Sequence, residues 1–259
     1  MPTEENGFTS PALVAFAGTV LVPSTLAELL AWLQQRWQDG ERGLLIGTHN
    51  LHSLVLCQRE PTVREFYRHC QRCYVDGVAV LWLLRAAGFD TRAAQRFTLM
   101  DSLPTLLEWL QSANLSVYYL GGSPVAAERG RAWLERDYPQ LRARLQHGYD
   151  LADTETISAI NQFRPDLLLV GMGMPRQEAW LLRHRAQLDA GALLQAGGTL
   201  DYYTGLQARP PLYLSRIGLG GLYRLLHDPR RLWRRYLVTP WSLLLPTLRL
   251  RRARARECT

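Results

Sequence analysis

Between Gly43 and Gly198 the chain alternates short apolar runs with longer amphipathic stretches, and this alternation constrains the fold more than any other feature. Runs of this length fit buried strands, and the stretches between them fit helices. Strands that alternate with helices predict βαβ units, so we expect an α/β fold with a largely parallel sheet flanked by helices. The predicted strands are residues 43–50, 73–77, 115–122, 144–150, 165–173 and 191–198.

Four helices are predicted in more detail. One follows the 73–77 strand and runs through Ala86, and one covers residues 126–137. Asp153 or Thr154 is expected to cap a further helix. The helix between the last two strands places Ala179, Leu182 and Ala186 on one face.

Composition excludes several classes of protein. The chain has 259 residues, of which 47% are hydrophobic, which is enough for a sizeable core. Its longest apolar runs are strand-sized, far below the ~18–20 residues that cross a bilayer. The first ten residues, MPTEENGFTS, are polar and acidic, unlike a secretory signal. We therefore expect a cytoplasmic protein.

The cysteines raise the question of a metal. Cys70 and Cys73 form a CxxC pair, with His49 and His52 upstream. A structural zinc site needs four ligands at finger-like spacing, and here Cys73 begins an apolar run while the histidines follow a strand. We interpret the cysteines as reduced core thiols, with zinc as the alternative, and predict no metal site.

Basic charge is concentrated at the C-terminal end. All 30 basic residues are arginines, and the formal net charge is +7. Residues 209–259 hold 12 arginines against Asp228 and Glu257, a net charge of +10, whereas residues 1–208 carry −3. This asymmetry indicates that the C-terminal segment meets an anionic surface, although ordinary solvated charge gives the same composition.

Most of the predicted strands end in glycine or polar residues. In an open parallel sheet, ligands bind in the crevice beyond the carboxyl ends of the strands. Glycine lets the backbone approach a ligand closely, and helix N-termini attract phosphates. The pattern favours a site for a nucleotide or sugar nucleotide, and the alternative is that the glycines only form tight turns. The strand ends are Thr48–Asn50, Asp76–Gly77, Gly121–Gly122, Gly171–Gly173 and Gly197–Gly198.

The strand end with the most distinctive sequence is in residues 170–180, VGMGMPRQEAW. A helix follows the glycines at once, and Gln177 and Glu178 in its first turn have side chains that can hydrogen-bond to a ligand. The segment is not the G-x-G-x-x-G fingerprint of dinucleotide-binding folds, because the third small residue is missing. The pattern therefore gives little support to NAD as a ligand.

Residues 170–180 resemble the G-x-G-x-P-x-Q-E signature of the WecG/TagA/CpsF glycosyltransferase family. The likeness extends over about residues 44–236 and keeps the family's order. The matching segments are THNLHSLVLCQREP (48–61), YVDGVAVLW (74–82), RFTLMDSLPTLLE (96–108), VYYLGG (117–122), QAGGTLDYYTG (195–205) and the arginine-rich stretch 208–236.

The resemblance implies an inverting sugar transfer from a UDP-sugar to an undecaprenyl-diphosphate-linked saccharide in exopolysaccharide or cell-wall polysaccharide assembly. Relatives use N-acetylmannosamine, N-acetylmannosaminuronate or glucose donors. It also implies a Rossmann-like fold, no cofactor and no metal, and a place at the inner face of the plasma membrane. The expected partners are the UDP-sugar, the polyprenyl-diphosphate-linked acceptor and an anionic membrane surface, without nucleic acid; a homo-oligomer is left open.

The resemblance also assigns roles to residues. Asp76 matches the family's proposed base, which would take the proton of the acceptor hydroxyl; the alternative is that Asp76 caps the following helix. Arginines would stabilise the departing UDP, since their planar fork suits phosphate. The substrate-binding candidates are Thr48, Asn50, Arg96, Asp101, Gly121, Gly122, Gly171, Gly173, Gln177, Glu178, Gly198, Asp201, Arg209, Arg224 and Arg231.

We expect two parts, an α/β glycosyltransferase domain over residues 1–208 and a basic amphipathic helical appendage over residues 209–259. Asp228 and Pro229 are suited to begin the second of its helices. The stretch 236–248 is apolar but short and holds two prolines, which favours an interfacial helix with Trp233 and Trp241 at headgroup level. Packing of the leucines against the α/β domain is the alternative.

This chain departs from the family at two places. Gly220 and Gly221 replace an acid and an aromatic residue, and Leu99 replaces a glycine near Arg96 and Asp101. Two other functions are weighed against a transferase: a nucleotide-dependent oxidoreductase on a similar fold, and a non-enzymatic module whose basic tail binds nucleic acid. The missing fingerprint counts against the first, and the leucines and tryptophans among the tail arginines count against the second.

Overall fold

Eight strands appear in the computed structural model, which describes residues 14–16, 19–91, 96–149 and 152–257. The polar N-terminal stretch, residues 1–10, lies outside these ranges, as does the end of the predicted 144–150 strand. The strands are β1 (Val14–Phe16), β2 (Thr19–Leu21), β3 (Leu44–His49), β4 (Arg72–Val75), β5 (Ser116–Gly121), β6 (Arg142–Gln146), β7 (Leu167–Gly171) and β8 (Ala192–Gln195).

Helices occupy most of the connections, and several begin at residues suited to that position. Thr25 forms a capping box with Glu28, and Ser123 caps a helix that begins with Pro124. The α-helices are α1 (Leu26–Gln38), α2 (Leu51–Arg59), α3 (Pro61–His69), α4 (Val78–Ala86), α5 (Leu99–Ser112), α6 (Pro124–Asp137), α7 (Asp153–Phe163), α8 (Arg176–His184), α9 (Thr199–Tyr203), α10 (Leu212–Arg216), α11 (Gly220–His227), α12 (Pro229–Trp233) and α13 (Leu244–Glu257).

Six of the strands form one parallel sheet in the order β4-β3-β8-β7-β5-β6, and β1 and β2 form a separate antiparallel pair. The predicted α/β class with a parallel sheet flanked by helices is confirmed. From β3 the chain adds β4 at one edge, crosses to β5 and β6 at the other edge, and then fills the middle with β7 and β8.

The sheet has a buried core on each face, because alternate strand residues point to opposite sides. In β7, Leu167 and Leu169 pack with α1, α5, α6 and α9, whereas Leu168 and Val170 pack with α3, α7 and α8. Both sets are almost fully buried. Such double burial explains why these strands read as continuous apolar runs.

Neighbouring strands β3 and β8 send their following helices to opposite faces. After β3 the chain runs into α2 and α3, and α3 packs in the second core with Cys57 of α2. After β8 it runs into α9, whose Leu200 packs in the first core. This is the topological switch point of a doubly wound sheet, where a crevice opens at the carboxyl ends of the strands.

Two of the sequence predictions about helices are wrong. The N-cap of α7 is Ala152, and Asp153 lies inside the helix, where its carboxylate accepts a hydrogen bond from Trp180 Nε1 at 2.9 Å. The predicted face of Ala179, Leu182 and Ala186 does not form on one helix, because α8 ends at His184 and Ala186 is exposed in a 3₁₀ turn. The buried residues of α8 are Gln177, Glu178, Trp180, Leu181 and His184.

The residues after 209 form the short helices α10, α11 and α12, a π-helical turn at Arg234–Val238, a 3₁₀ turn at Thr239–Leu243 and the 14-residue α13. As predicted, Pro229 begins a helix. Leu243 is fully buried in a third core with α2 and α4, while Trp241 and Leu245 are 69% and 65% exposed. In the described part of the chain, no helix combines the length and the apolar character needed to span a membrane.

We predict that Gly171→Ala destabilises the fold by overpacking. An added Cβ would collide with the Tyr119 hydroxyl and lie 2.7 Å from the Gly197 carbonyl oxygen. The free energy of unfolding, measured by urea denaturation, should fall by about 3 kcal/mol. The control is Gly40→Ala, where φ is +80° but no atom lies within 4 Å, so only the strain of about 1 kcal/mol remains. Equal losses in the two variants would contradict a steric cause.

Candidate active site

A cavity of about 520 Å³ lies at the carboxyl ends of β3, β4 and β8. The switch point between β3 and β8 positions it, since the crevice opens between helices that leave to opposite faces. Its floor includes Thr48 of β3 and Gln195 of β8, and one wall is formed by Ser215, Gly218 and Arg224 from the C-terminal helices. The cavity is therefore lined both by residues of the parallel sheet and by residues of the C-terminal segment.

Asn50 and Asp76 meet at the rim of this cavity. Asn50 is the N-cap of α2, and its Oδ1 accepts hydrogen bonds from the backbone N–H groups of His52 and Ser53 at 3.0 and 3.1 Å. The cap occupies the carbonyl side of the amide, so the amino group must point away from the helix. Asn50 Nδ2 indeed lies 3.5 Å from Asp76 Oδ2. Helix capping thus orients the group that faces the carboxylate.

The backbone around Asp76 directs this carboxylate to the cavity. The Asp76 N–H donates to the His49 carbonyl oxygen at 2.8 Å, which extends the β3–β4 pairing by one residue. Gly77 then adopts φ +89°, a conformation that favours glycine, and serves as the N-cap of α4. The alternative reading of Asp76 as the helix cap is therefore wrong. Asp76 is partly exposed and lines the cavity.

Gln177 lines the same cavity as Asp76 and is fully buried. Its Oε1 accepts from the Gly197 N–H at 3.0 Å, and its Nε2 donates to Glu178 Oε1 at 2.8 Å. The side chain therefore ties the start of α8 to the turn after β8. Asp76 and Gln177 lie far apart in the sequence, and the fold brings them to one site.

Glu178 lies behind Gln177, away from the cavity, and its side chain is fully buried. Burial raises the pKa of this carboxyl group from 4.5 to about 7, and its hydrogen bond with Gln177 offsets part of that rise. A carboxyl group that holds its proton near neutral pH lies close to Tyr67 and Cys57. Glu178 is therefore a buried support of Gln177.

Among the side chains that the structure describes, three arginines line the cavity: Arg96, Arg224 and Arg234. Arg96 Nη2 donates to the Ser215 carbonyl oxygen at 3.1 Å, which links the segment before α5 to α10. Arg224 Nε donates to the Gly220 carbonyl oxygen at 3.3 Å within α11. Arg234 is exposed and lies over the Trp233 ring. Positive charge thus enters the cavity from the body and from the C-terminal helices.

The predicted site residues divide into two groups. Besides those described, Gly173 and Gly198 line the cavity, whereas Asp101, Asp201 and Arg209 lie outside its lining. Asp201 Oδ2 accepts from Gln207 Nε2 at 2.9 Å, and Gln207 itself lines the cavity. The side chain of Arg231 lies outside the described part of the structure.

Three of the predicted glycines allow close packing, two between strands and one against a helix. Gly121 pairs with Gly171 across β5 and β7, and a Cβ on Gly121 would lie 2.7 Å from the Gly171 Cα. A Cβ on Gly122 would come within 3.1 Å of Leu200. None of the three lines the cavity. At these positions, close packing against neighbouring backbone and side chains accounts for glycine.

Sequence reasoning missed part of the lining. Gln195 donates to the Tyr67 hydroxyl at 2.9 Å and to the Thr48 carbonyl oxygen at 3.2 Å, while Tyr67 donates to the same carbonyl at 2.9 Å. This buried network fixes the floor of the cavity. A glutamine at the end of a buried apolar strand was the available signal for Gln195, and the tail arginine cluster was the signal for Arg234.

No described set of three or more His, Cys, Asp and Glu side chains is arranged to hold a metal ion. The free thiols of Cys57 and Cys73 are buried, and that of Cys70 is partly exposed. Cys73 packs beside Gly47 of β3, where an added Cβ would lie 3.0 Å from its Sγ. The CxxC pair therefore lies in the packing between β3 and α3, behind the cavity.

Comparison with known proteins decides the family. Residues 14–257 match the sequence model of the Glycosyl transferase WecG/TagA/CpsF family. The chain belongs to this family. The membership predicted from the motifs is thus confirmed, and the WecG/TagA/CpsF match includes both the sheet and the C-terminal helices.

Two curated relatives of this WecG/TagA/CpsF chain come from Staphylococcus aureus, strains MW2 and NCTC 8325. Both are named N-acetylglucosaminyldiphosphoundecaprenol N-acetyl-beta-D-mannosaminyltransferase. Each is 33% identical over 119 residues, which are 46% of this chain and 47% of the relative. The chain thus spans about half the length of the curated relatives it matches.

We predict that Glu178→Gln stabilises the protein at neutral pH and not at acidic pH. The folded pKa of Glu178 is about 7 against 4.5 when unperturbed. Between these values the unfolded chain loses the proton while the folded chain keeps it, so this group lowers the free energy of unfolding as pH rises. The variant has no ionisable group at this position, so its free energy of unfolding does not fall for this reason. Its advantage over the wild type should grow by about 2 kcal/mol between pH 5 and pH 8 in urea denaturation.

The matched control is Glu155→Gln, because Glu155 is an exposed carboxylate in the first turn of α7. Its stability difference from the wild type should stay constant over the same pH range. A Glu178→Gln difference that is equally flat would contradict a buried carboxyl group with a raised pKa.

Proposed function

We propose that this protein transfers a sugar from a UDP-sugar to a polyprenyl-diphosphate-linked saccharide with inversion at the anomeric carbon. The observation that carries the proposal is the convergence of Asp76, Asn50 and Gln177 with Arg96 and Arg224 on one cavity. A carboxylate base beside arginines is the set of groups that an inverting transfer to a hydroxyl acceptor needs. Family membership supports the transferase class.

Asp76 acts as the general base. The acceptor hydroxyl oxygen attacks the anomeric carbon from the face opposite UDP, and its proton passes to the Asp76 carboxylate. The bond between the anomeric carbon and the UDP oxygen breaks, and UDP leaves with the electron pair. Asn50 holds the carboxylate in position through its amide, 3.5 Å from Asp76 Oδ2.

Arginines bind the diphosphate. Arg96 and Arg224 line the cavity with their guanidinium groups anchored to backbone carbonyls. Developing charge on the leaving oxygen is stabilised by such fixed cations without reorganisation of solvent. The first-turn amides of α2 are already bonded to Asn50, so this helix N-terminus contributes little to phosphate binding. In this proposal the arginines carry out leaving-group stabilisation, and the step involves no metal.

The donor is proposed to be an N-acetylmannosamine type, because the Staphylococcus relatives are named as N-acetyl-beta-D-mannosaminyltransferases. Those names also give an N-acetylglucosaminyldiphosphoundecaprenol acceptor, and we propose an acceptor of that class. N-acetylmannosaminuronate and glucose donors are the comparison substrates. Leu99 and Met100 line the cavity, and they are positions where the sugar contact would differ between donors.

We predict that Asp76→Asn lowers turnover about 10³-fold and leaves UDP affinity within about 3-fold. The charge needed to accept the proton is lost, while the arginines remain. UDP release is measured with a panel of UDP-sugars and a short-chain lipid-diphosphate acceptor, and UDP affinity by calorimetry. The matched control is Asp90→Asn, an exposed acid after α4 that does not line the cavity. A folded Asp76→Asn enzyme with wild-type turnover would remove Asp76 from the mechanism.

Residues 209–259 are proposed to bind the inner face of the plasma membrane, where the lipid-linked acceptor lies. Support comes from exposed apolar side chains on this segment, with Leu226 at 71%, Trp241 at 69% and Leu245 at 65%. Arginines flank them, and each contributes about 1 kcal/mol near an anionic surface. The buried Leu232 and Leu243 anchor the same segment to the body. Burial at Leu232 and Leu243 fits the packing alternative at those two positions, and the proposed membrane contact concerns the exposed residues.

We predict that Trp241→Ser with Leu245→Ser weakens binding to vesicles of phosphatidylglycerol and phosphatidylcholine at least ~10-fold, because two exposed apolar anchors are lost. Co-sedimentation with vesicles is the measurement. Val125→Ser, an apolar residue of α6 that is 49% exposed, should bind as the wild type does. Wild-type binding that ignores the anionic lipid fraction would contradict the proposed membrane contact.

A further inference from the structure

Asp101 lies in the first turn of α5 and faces charged groups from several parts of the chain. Burial raises the pKa of its carboxyl group, whereas Arg209, the Ser215 hydroxyl, Arg96 and Arg224 lower it. Asp101 does not line the cavity, although Arg96, Ser215 and Arg224 do. The carboxylate therefore lies behind the cavity wall, within reach of the groups that form it.

The three arginines come from three different segments. Arg96 precedes α5, Arg209 follows α9, and Arg224 lies in α11. Arg209 is held from its other side, because its guanidinium group lies 4.7 Å from the centre of the Tyr203 ring. Tyr203 in turn donates to the Met100 carbonyl oxygen at 2.7 Å, next to Asp101 in the chain. These contacts place Arg209 beside the first turn of α5. Arg96 and Arg224 meet at Ser215, because Arg96 donates to its carbonyl oxygen and a Cβ on Gly220, whose carbonyl oxygen accepts from Arg224 Nε, would lie 3.1 Å from Ser215 Oγ. Three like charges thus converge on the region of Asp101.

Three partly buried guanidinium groups repel one another, and the repulsion is stronger at a protein surface than in water. A single carboxylate among them offsets that repulsion and draws them together. Arg96 also donates to Ser215 O at 3.1 Å, so the same group of residues fixes α10 against the body. Without the charge of Asp101, Arg96 and Arg224 would separate and the cavity wall would widen.

We propose that Asp101 is a positioning residue, which sets Arg96 and Arg224 for the diphosphate and ties residues 209–227 to the start of α5. The inference rests on the proposed UDP-sugar transfer for its kinetic consequence. It gives Asp101 a role other than the direct substrate contact expected from the sequence. The simpler explanation is that Asp101, as an acid in the first helical turn, interacts only with the helix dipole of α5. That interaction would contribute about 0.3–1 kcal/mol to stability.

The test compares Asp101→Asn, Asp101→Glu and the control Glu155→Gln, which removes a first-turn carboxylate from α7. Asp101→Asn should lower kcat/KM about 10–100-fold, mainly through a higher KM for the UDP-sugar, because misplaced binding groups weaken ligand contacts. Asp101→Glu restores the charge and should recover most of the loss. Glu155→Gln should match the wild type. Equal losses in Asp101→Asn and Asp101→Glu would overturn the proposal.

A double variant tests the charge balance directly. If Asp101 offsets repulsion among arginines, Arg209→Gln in the Asp101→Asn background should recover at least ~3-fold in UDP affinity, measured by calorimetry. Independent, additive losses would overturn the proposal. Arg209 is suited to this test because it does not line the cavity.

A third measurement requires no activity. Amide hydrogen exchange over residues 209–227 should be at least ~10-fold faster in Asp101→Asn than in Glu155→Gln, because the tie to α5 is lost. Unchanged exchange would overturn the link between Asp101 and the C-terminal helices. If the wild type neither binds UDP nor transfers sugar, the proposed function fails, and this exchange result still decides the positioning role.

Discussion

The side-by-side placement of β3 and β8 determines where this protein can bind a ligand. Helices after β3 cover one face of the sheet and the helix after β8 covers the other, so these helices leave the carboxyl ends between them uncovered. Backbone that would otherwise be buried there is accessible to a ligand. The motif residues Thr48, Asn50 and Gly198 line this opening because they directly follow or end these two strands.

The chemistry of the site depends on how each polar group is already engaged. Asn50 uses its carbonyl oxygen to cap α2, and Gln177 uses its carbonyl oxygen on the Gly197 N–H. In both side chains the carbonyl oxygen accepts from backbone N–H groups, which leaves the amino group to face a carboxyl group. Asn50 faces Asp76, and Gln177 faces Glu178. The carboxyl group of Asp76 lies at the rim of the cavity, whereas that of Glu178 is fully buried behind it, where burial raises its pKa to about 7.

Much of the fold could be predicted from the sequence, because strands buried on both faces give continuous apolar runs and β7 and β8 do so clearly. The buried face of α8 could not, since Gln177, Glu178 and His184 occupy it and a periodicity of apolar residues cannot detect buried polar groups. The glycines illustrate a second limit. Gly121 and Gly173 are alike in the sequence, yet one is required by a neighbouring strand and the other borders the cavity.

The burial of Leu243 has a consequence for how the C-terminal segment can be studied. This side chain is fully buried among Leu54, Val80 and Leu84 of α2 and α4. A chain cut after residue 208 would leave these residues facing water, and an uncovered apolar surface of this kind promotes aggregation. Loss of activity on truncation would then report an exposed core as much as a missing membrane contact. Point substitutions at outward-facing positions distinguish an exposed core from a missing membrane contact, because they leave Leu243 buried against α2 and α4.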